Sequence, residues 1–341
     1  MKYNPLYIVL FIVSVFGCSD MFVDPGERDD PVTVFDVIWK DFNDYYPFFD
    51  IKDVDWDDVY TVYRERIAET ADDEEIFGIY DELLGELEDG HVNLYTPYGV
   101  TQYTGWYDQY PRNFILTTVT GRYLDGGGAV TGNGNIVYGW IGSVGYVHIG
   151  TFAEEDGWHR SIDAVLDELA GAPALIVDVR SNGGGSSNNA LFIARRFADR
   201  ERLYTYTQYR NGPAHSDYTP VRERTVKPGG PQQFLKPVAL LTNRRTFSAA
   251  EDFSLAMREF PHVVHVGDTT GGGFGNPIFR ELPNGWTYRL PVWRQLTSEK
   301  ENLEGIGIGP DVHITMTGNM NLFGRDTIIE TAVEIVLSRN E

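Results

Sequence analysis

Cysteine is nearly missing from this 341-residue chain. The one copy is Cys18, so no intrachain disulfide can form. Long apolar runs are scarce as well. Tyr7–Phe16 (YIVLFIVSVF) is about ten residues long, whereas a bilayer-spanning helix needs about 20. Positive charge is the third shortage: 28 Lys+Arg stand against 50 Asp+Glu, a net charge of −22. A chain this acidic repels phosphate backbones, so nucleic acid is not expected as a partner, and bare anionic membranes are disfavoured. What is plentiful is apolar and aromatic surface, at 42% and 13% of residues, which excludes wholesale disorder. The length makes two domains the default, with one large domain possible.

The amino terminus reads as a targeting segment. Lys2 provides a short basic region and Tyr7–Phe16 an apolar one, as in a signal peptide. Val15-Phe16-Gly17-Cys18 then resembles the lipobox of bacterial lipoproteins, in which the cysteine becomes the first mature residue and carries the lipid. That resemblance implies a signal peptide over 1–17, lipidation at Cys18 and a place in the bacterial cell envelope. The polar, Pro- and Gly-containing segment up to Pro31 reads as a flexible tether over 18–31. A lipid anchor would let so acidic a protein sit on a membrane.

Residues 32–91 read as a helical domain. Phe35, Ile38, Trp39, Phe42, Tyr45 and Tyr46 recur at helical spacing, and Pro47 stops the run. Asp55 is placed to cap a second helix, and Asp72 with Glu75 forms a capping-box pattern for a third. From Val92 the pattern changes to short β-prone runs: Val92–Thr96, Phe114–Val119, Asn135–Ile141 and Tyr146–Phe152. Beyond these, apolar strands (Ala174–Val179, Pro237–Thr242, Val263–Val266) alternate with helical patterns (Trp158–Leu169, Asn188–Phe197, Ser248–Phe260). Alternation of this kind predicts an α/β fold with parallel strands over 92–341.

Four segments carry candidate chemistry. Asp178-Val179-Arg180-Ser181-Asn182-Gly183-Gly184-Gly185 follows one buried strand, and its glycines let backbone N–H groups converge on a ligand. It lacks the lysine of a phosphate loop, and an oxyanion hole uses the same geometry. Ser248 opens a helix, where a serine is a cap or a nucleophile favoured by the positive helix end. His91 follows Asp89-Gly90, and Glu304 lies in a glycine-rich loop. Nucleophile, base, acid and oxyanion donors together meet the requirements of acyl transfer. Carboxylate-pair chemistry through Glu251 and Glu304 has no supporting motif, and Glu251 reads as a first-turn or local hydrogen-bonding residue. His262 and His265 lack a third ligand at sensible spacing, so no metal is expected. His215 falls in a turn. Tyr103, Trp106, Tyr107 and Tyr110 are candidates for core packing or for lining a groove.

The segments DVRSNGGG, LLTNRRTFSAAEDF, VGDTTGGGFGNP and EGIGIGPDV, with the preceding DGH, resemble the C-terminal processing peptidase and tricorn-core family of serine peptidases. The resemblance covers roughly Val32 to Val336. It implies a crotonase-like α/β core, a peptide or protein substrate and no cofactor. Processing peptidases carry a lysine about 25 residues after the serine; here that position is Gly273, and no lysine lies between Lys236 and Lys300. The tricorn-type solution, serine with histidine and glutamate, matches Ser248, His91 and Glu304. Family oxyanion donors map onto Gly184 or Gly185 and the Ala249 N–H. Thr269–Gly273 reads as a mobile loop beside the site, with Gly272 and Gly273 as candidates to bind the substrate backbone. Between His91 and Tyr146 there is too little chain for the PDZ domain that many relatives carry. That shortage brings the sequence nearer the compact branch containing interphotoreceptor retinoid-binding protein repeats. The alternative on the same fold is a non-catalytic lipoprotein that binds an apolar or peptide ligand.

Overall fold

A computed structural model describes residues 30–70, 72–154, 157–314 and 324–339. The expected signal peptide, Cys18 and nearly all of the tether lie outside the described residues. Three helices open the described chain: α1 (Pro31–Tyr45), α2 (Trp56–Ala68) and α3 (Asp73–Gly85). Each begins where an aspartate can accept from its orphan N–H groups. Asp30 takes Thr33 N–H, Asp55 takes Asp57 and Asp58 N–H, and Asp72 takes Glu74 and Glu75 N–H. Their apolar faces bury Phe35, Phe42, Trp56, Tyr80 and Leu83 in a single core.

The rest comprises thirteen strands and six further α-helices among the described residues, with short 3₁₀ and π turns between them. Two short strands, β1 (Asn93–Thr96) and β2 (Gly99–Val100), precede the helical turns α4 (Gly105–Asp108) and α5 (Leu116–Thr118). Then come β3 (Ala129–Thr131), β4 (Ile136–Ile141), β5 (Val144–Ile149), α6 (Ile162–Glu168), β6 (Leu175–Asp178) and α7 (Ser187–Ala194). The chain continues through β7 (Arg202–Tyr209), β8 (Arg222–Val226), β9 (Val238–Thr242), α8 (Ala249–Arg258) and β10 (Val263–Gly267). It ends with β11 (Gly275–Glu281), β12 (Thr287–Thr297), β13 (Val312–His313) and α9 (Thr327–Ser338).

Seven strands form the central sheet in the order β13-β10-β9-β6-β5-β4-β3. The first five run parallel, and β4 and β3 extend the sheet antiparallel. Alternate residues of its strands face opposite layers. Leu175, Val177, Val238 and Leu240 pack against α6, α7 and α8, while Ile176, Ala239 and Leu241 pack against α9. Burial on both faces is why β6 and β9 read as unbroken apolar runs.

A second sheet, β2-β1-β12-β7-β8 with β11 paired to β12, is antiparallel, and of its strands only β1 matches an expected run, Val92–Thr96. Trp286, Tyr288 and Leu290 place it in the core of the three amino-terminal helices. Phe114–Val119 departs from its expected strand character: Leu116–Thr118 and Val119–Tyr123 are helical. The ring of Phe114 packs on Arg180 and His148, so tertiary contact overrides a β-branched composition.

The connection between sheet and site is a buried ionic group. Arg180 follows β6 and bonds both oxygens of Asp178, and its Nη1 reaches Asp326, which also caps α9. Tyr146 donates to the same Asp178 at 2.7 Å. Burial alone would raise the Asp178 carboxyl, but the Arg180 charge outweighs it and holds that group below the usual carboxylate range.

Candidate active site

Ser248, His91, Ala249, Gly183, Gly185 and Gly273 all line one cavity of about 590 Å³. Four segments bring them together: the ends of β6 and β9, the turn ahead of β1 and the loop ahead of β11. Ser248 follows β9 and immediately precedes α8, with φ +57° and ψ −123°. A non-glycine residue at positive φ is strained and persists only where the surroundings fix it. Here Glu251, one turn along α8, accepts the Ser248 N–H at 2.9 Å. Phe247 N–H is held by the Asn182 carbonyl at 3.0 Å. The side chain of Ser248 sits at the positive end of α8, in a capping-box arrangement with Glu251.

The glycine loop after β6 approaches this turn closely. A Cβ on Gly184 (φ +97°) would stand 2.7 Å from Ser248 Cβ and 2.8 Å from the Phe247 carbonyl. A Cβ on Gly185 (φ +131°) would meet the backbone of Phe152 at 2.3 Å. Only glycine fits at either position. The Gly184 N–H is already donated to Asn182 Oδ1 at 2.9 Å. The N–H groups of Gly185 and Ala249 have no acceptor among the described residues, the latter being the first orphan donor of α8.

His91 stands just ahead of β1, its backbone N–H donated to Asp89 Oδ1 at 2.7 Å. Its ring is buried and packs on Phe247, 4.6 Å between centroids. Phe247 in turn stacks on Trp106 at 4.2 Å. Neither ring nitrogen of His91 has a hydrogen-bond partner among the described residues. Burial lowers the imidazole pKa to about 4, against the opposing charge of Asp89. The ring is therefore neutral at physiological pH.

Glu304 is buried too, but its Oε2 accepts the Phe274 N–H at 2.6 Å and makes no bond to His91. Burial, then the nearby charge of Asp89, push its carboxyl well above the usual range. The sequence-predicted serine and histidine thus share a cavity, while the third residue stands near Asp89, unlinked to the imidazole in this conformation.

Gly273 lines the cavity, and the loop that carries Gly272 and Gly273 is tied to Glu251. Their N–H groups are donated to Glu251 at 2.8 and 2.7 Å, and Thr270 Oγ1 donates to the same carboxylate at 2.6 Å. Glu251 is the residue whose reach the sequence understated. Its two oxygens bind four donors, joining the Ser248 turn to the 270–273 loop. Burial pushes its pKa up to about 7, against these hydrogen bonds.

The remaining sequence candidates divide. Trp106 lines the cavity. His215 stacks on Phe49 and bonds Asn43. His265 bonds Thr242, and His262 stacks on Phe260. A wall residue without a sequence signal is Asp252. It lies one turn beyond Ser248 on α8, its Oδ1 held by Gln295 and Arg224.

Residues 143–314 match peptidase family S41, and residues 28–85 match the tricorn protease C1 domain. This chain belongs to peptidase family S41. A stretch of 172 residues is 28% identical to the carboxy-terminal processing protease CtpA of Bacillus subtilis, covering 50% of this chain and 34% of that protein. The match thus spans about a third of the length of that relative. A crystallised candidate peptidase from Parabacteroides merdae is 36% identical, over 90% of this chain and 97% of that one, with a TM-score of 0.81. Mature CPAF in complex with lactacystin shares the fold at 12% identity, over 92% of this chain and 99% of that one, with a TM-score of 0.71. The mixed α/β architecture is that of S41 peptidase structures. Among the described residues no helix is long and apolar enough to cross a membrane.

Proposed function

We propose that this protein is a serine peptidase in which Ser248 is the nucleophile, His91 the general base and Glu304 the acid that orients it. The observation that carries the reading is Ser248 itself: a strained serine at the start of α8, inside a cavity it shares with a neutral, unpartnered histidine. His91 accepts the Ser248 proton as Oγ bonds the scissile carbonyl carbon. The oxyanion is met by the Ala249 and Gly185 N–H groups, with Gly184 supplying closeness rather than a donor. His91 then protonates the leaving amine as the C–N bond breaks. Water, deprotonated by His91, hydrolyses the acyl-enzyme and returns the proton to Ser248. Apo catalytic hydrogen bonds tighten in the substrate complex, which is where Glu304 would reach the imidazole.

In this reading the core is crotonase-like, 32–91 is a helical domain packed on the catalytic unit of 92–341, and Cys18 anchors the mature chain to the envelope membrane after removal of 1–17. A second reading, ligand binding without catalysis, draws support from the missing His91–Glu304 contact. Incubating the full chain with a mixture of unstructured peptides, followed by mass spectrometry, separates the two. Cleavage lost in Ser248→Ala supports the peptidase; intact peptides beside tight retention of one of them supports the binder.

A further inference from the structure

A second cavity, of about 270 Å³, opens at the carboxyl ends of β6 and β9, where α/β sheets commonly hold ligands. Three arginines line it, Arg112, Arg244 and Arg245, and no carboxylate does. That is unexpected in a chain with 50 acidic and 28 basic residues. Two of the guanidinium groups are pre-set by aromatic rings. Arg244 stacks on Tyr110 at 4.2 Å and Arg245 on Tyr107 at 3.9 Å. Neither is neutralised closely. Arg244 Nη1 reaches only the carbonyls of Thr270 and Ile306, at 3.4 and 3.3 Å, and its buried Nε has no partner. The nearest carboxylate to Arg245 is that of half-exposed Asp108, at 3.7 Å. Ser181 completes the wall with φ +60°, and its Oγ accepts from Asn243 at 3.2 Å, which leaves its own hydrogen free to donate. The cavity is thus rich in donors, and Arg244 and Arg245 bring positive charge to it.

We infer that this cavity binds a small oxyanion, either a free one such as phosphate or the carboxylate of a peptide. Guanidinium forks suit planar and tetrahedral oxyanions alike, and charge-assisted hydrogen bonds are about twice as strong as neutral ones. Arg245 lies three residues before Ser248, so its Cα is within about 11 Å of the serine's Cα by chain length alone. The Trp106–Phe247 stack belongs to the catalytic cavity, and Tyr107, next in sequence, belongs to this one.

The inference does not depend on the peptidase reading, because its test reads binding. Isothermal titration of the full chain in mild detergent would use three probes at fixed ionic strength: inorganic phosphate, an acetylated peptide acid and the matching peptide amide. Saturable binding of phosphate or of the peptide acid is expected, unchanged in Ser248→Ala. It should weaken about tenfold or more in Arg245→Gln and in Arg244→Gln. Preference for the peptide acid over phosphate, with the amide inert, would name the peptide carboxylate as the occupant. The reverse preference would name the free anion. No saturable binding of phosphate or peptide acid, or binding indifferent to both arginine variants, overturns the assignment.

Discussion

Glu251→Gln should change stability with a sign that depends on pH. The wild-type carboxylate accepts two donors on each oxygen, Ser248 and Gly273 N–H on one, Thr270 Oγ1 and Gly272 N–H on the other. Glutamine keeps one oxygen and turns an NH₂ on the other pair. The Thr270 hydroxyl can rotate to accept, but a glycine N–H cannot, so at least one buried donor is orphaned, at about 1–3 kcal/mol. Against this stands the cost of ionising Glu251 in the fold. Its pKa rises from 4.5 to about 7 on burial, so the native state favours the protonated form. The stability this brings is present below pH 4.5 and is lost as pH rises through 7. Glutamine has no such loss. Between pH 5 and 8 the advantage of the wild type should therefore shrink by about 2.5 kcal/mol, enough to cancel or reverse it. At about 0.6 kcal/mol per kelvin for roughly 300 ordered residues, that is a relative movement of about 4 °C. Thermal melts of both proteins across this range supply the measurement. A melting difference independent of pH would refute the argument. The Ser248 turn loses an anchor in either protonation state, so labelling of Ser248 should slow about tenfold in the variant at every pH.

Four further outcomes follow from the same geometry. Gly184→Ala should abolish detectable labelling and lower the melting temperature, since its Cβ would stand 2.7 Å from Ser248 Cβ. Gly183→Ala, whose Cβ would meet nothing within 4 Å, should fold and melt as wild type does. Arg180→Leu leaves Asp178 and Asp326 buried without their cation. It should cost about 3–5 kcal/mol, and faster hydrogen exchange in α9 should accompany the lower melting temperature. Because burial lowers the His91 pKa from 6.5 to about 4, the neutral ring is favoured in the fold, and its contribution to stability is lost as pH falls from 6.5 through 4. The acid limb of Ser248 labelling should accordingly lie near pH 4, and a limb at 6.5 or above would contradict burial as the dominant influence on this imidazole.

The sequence was most legible where local chemistry and tertiary structure agree. Asp30, Asp55 and Asp72 begin helices because each can satisfy orphan N–H groups, and only Asp30 lay outside the sequence reading. Strands β6 and β9 are apolar on both faces, so their burial needs no partner to be inferred. Ser248 and His91 were visible as reactive residue types beside glycine and helix-start signals, and the structure places both at one cavity. Most of the antiparallel sheet beyond β1 was hidden, because strands such as β8 (RERTV) are polar and half-exposed, with no alternation to mark them. Glu251 looked local, at three residues from Ser248; its bonds to Thr270, Gly272 and Gly273 arise only when the 270–273 loop folds back on α8. Arg112 is over 130 residues from Arg244 in sequence, so a shared cavity leaves no spacing signature. Glu304 was found by its loop, but its distance from His91 depends on how the loop packs against Phe274 and Asp89, and no motif reports that.

Activity-based labelling tests the central claim most directly. The full chain would be treated with a fluorophosphonate and the modified peptide located by mass spectrometry, with Ser248→Ala and His91→Ala run alongside. The account predicts a single adduct on Ser248, absent in Ser248→Ala and slowed at least about 100-fold in His91→Ala. A folded wild-type protein that takes no label, or labels equally well without His91, would contradict it.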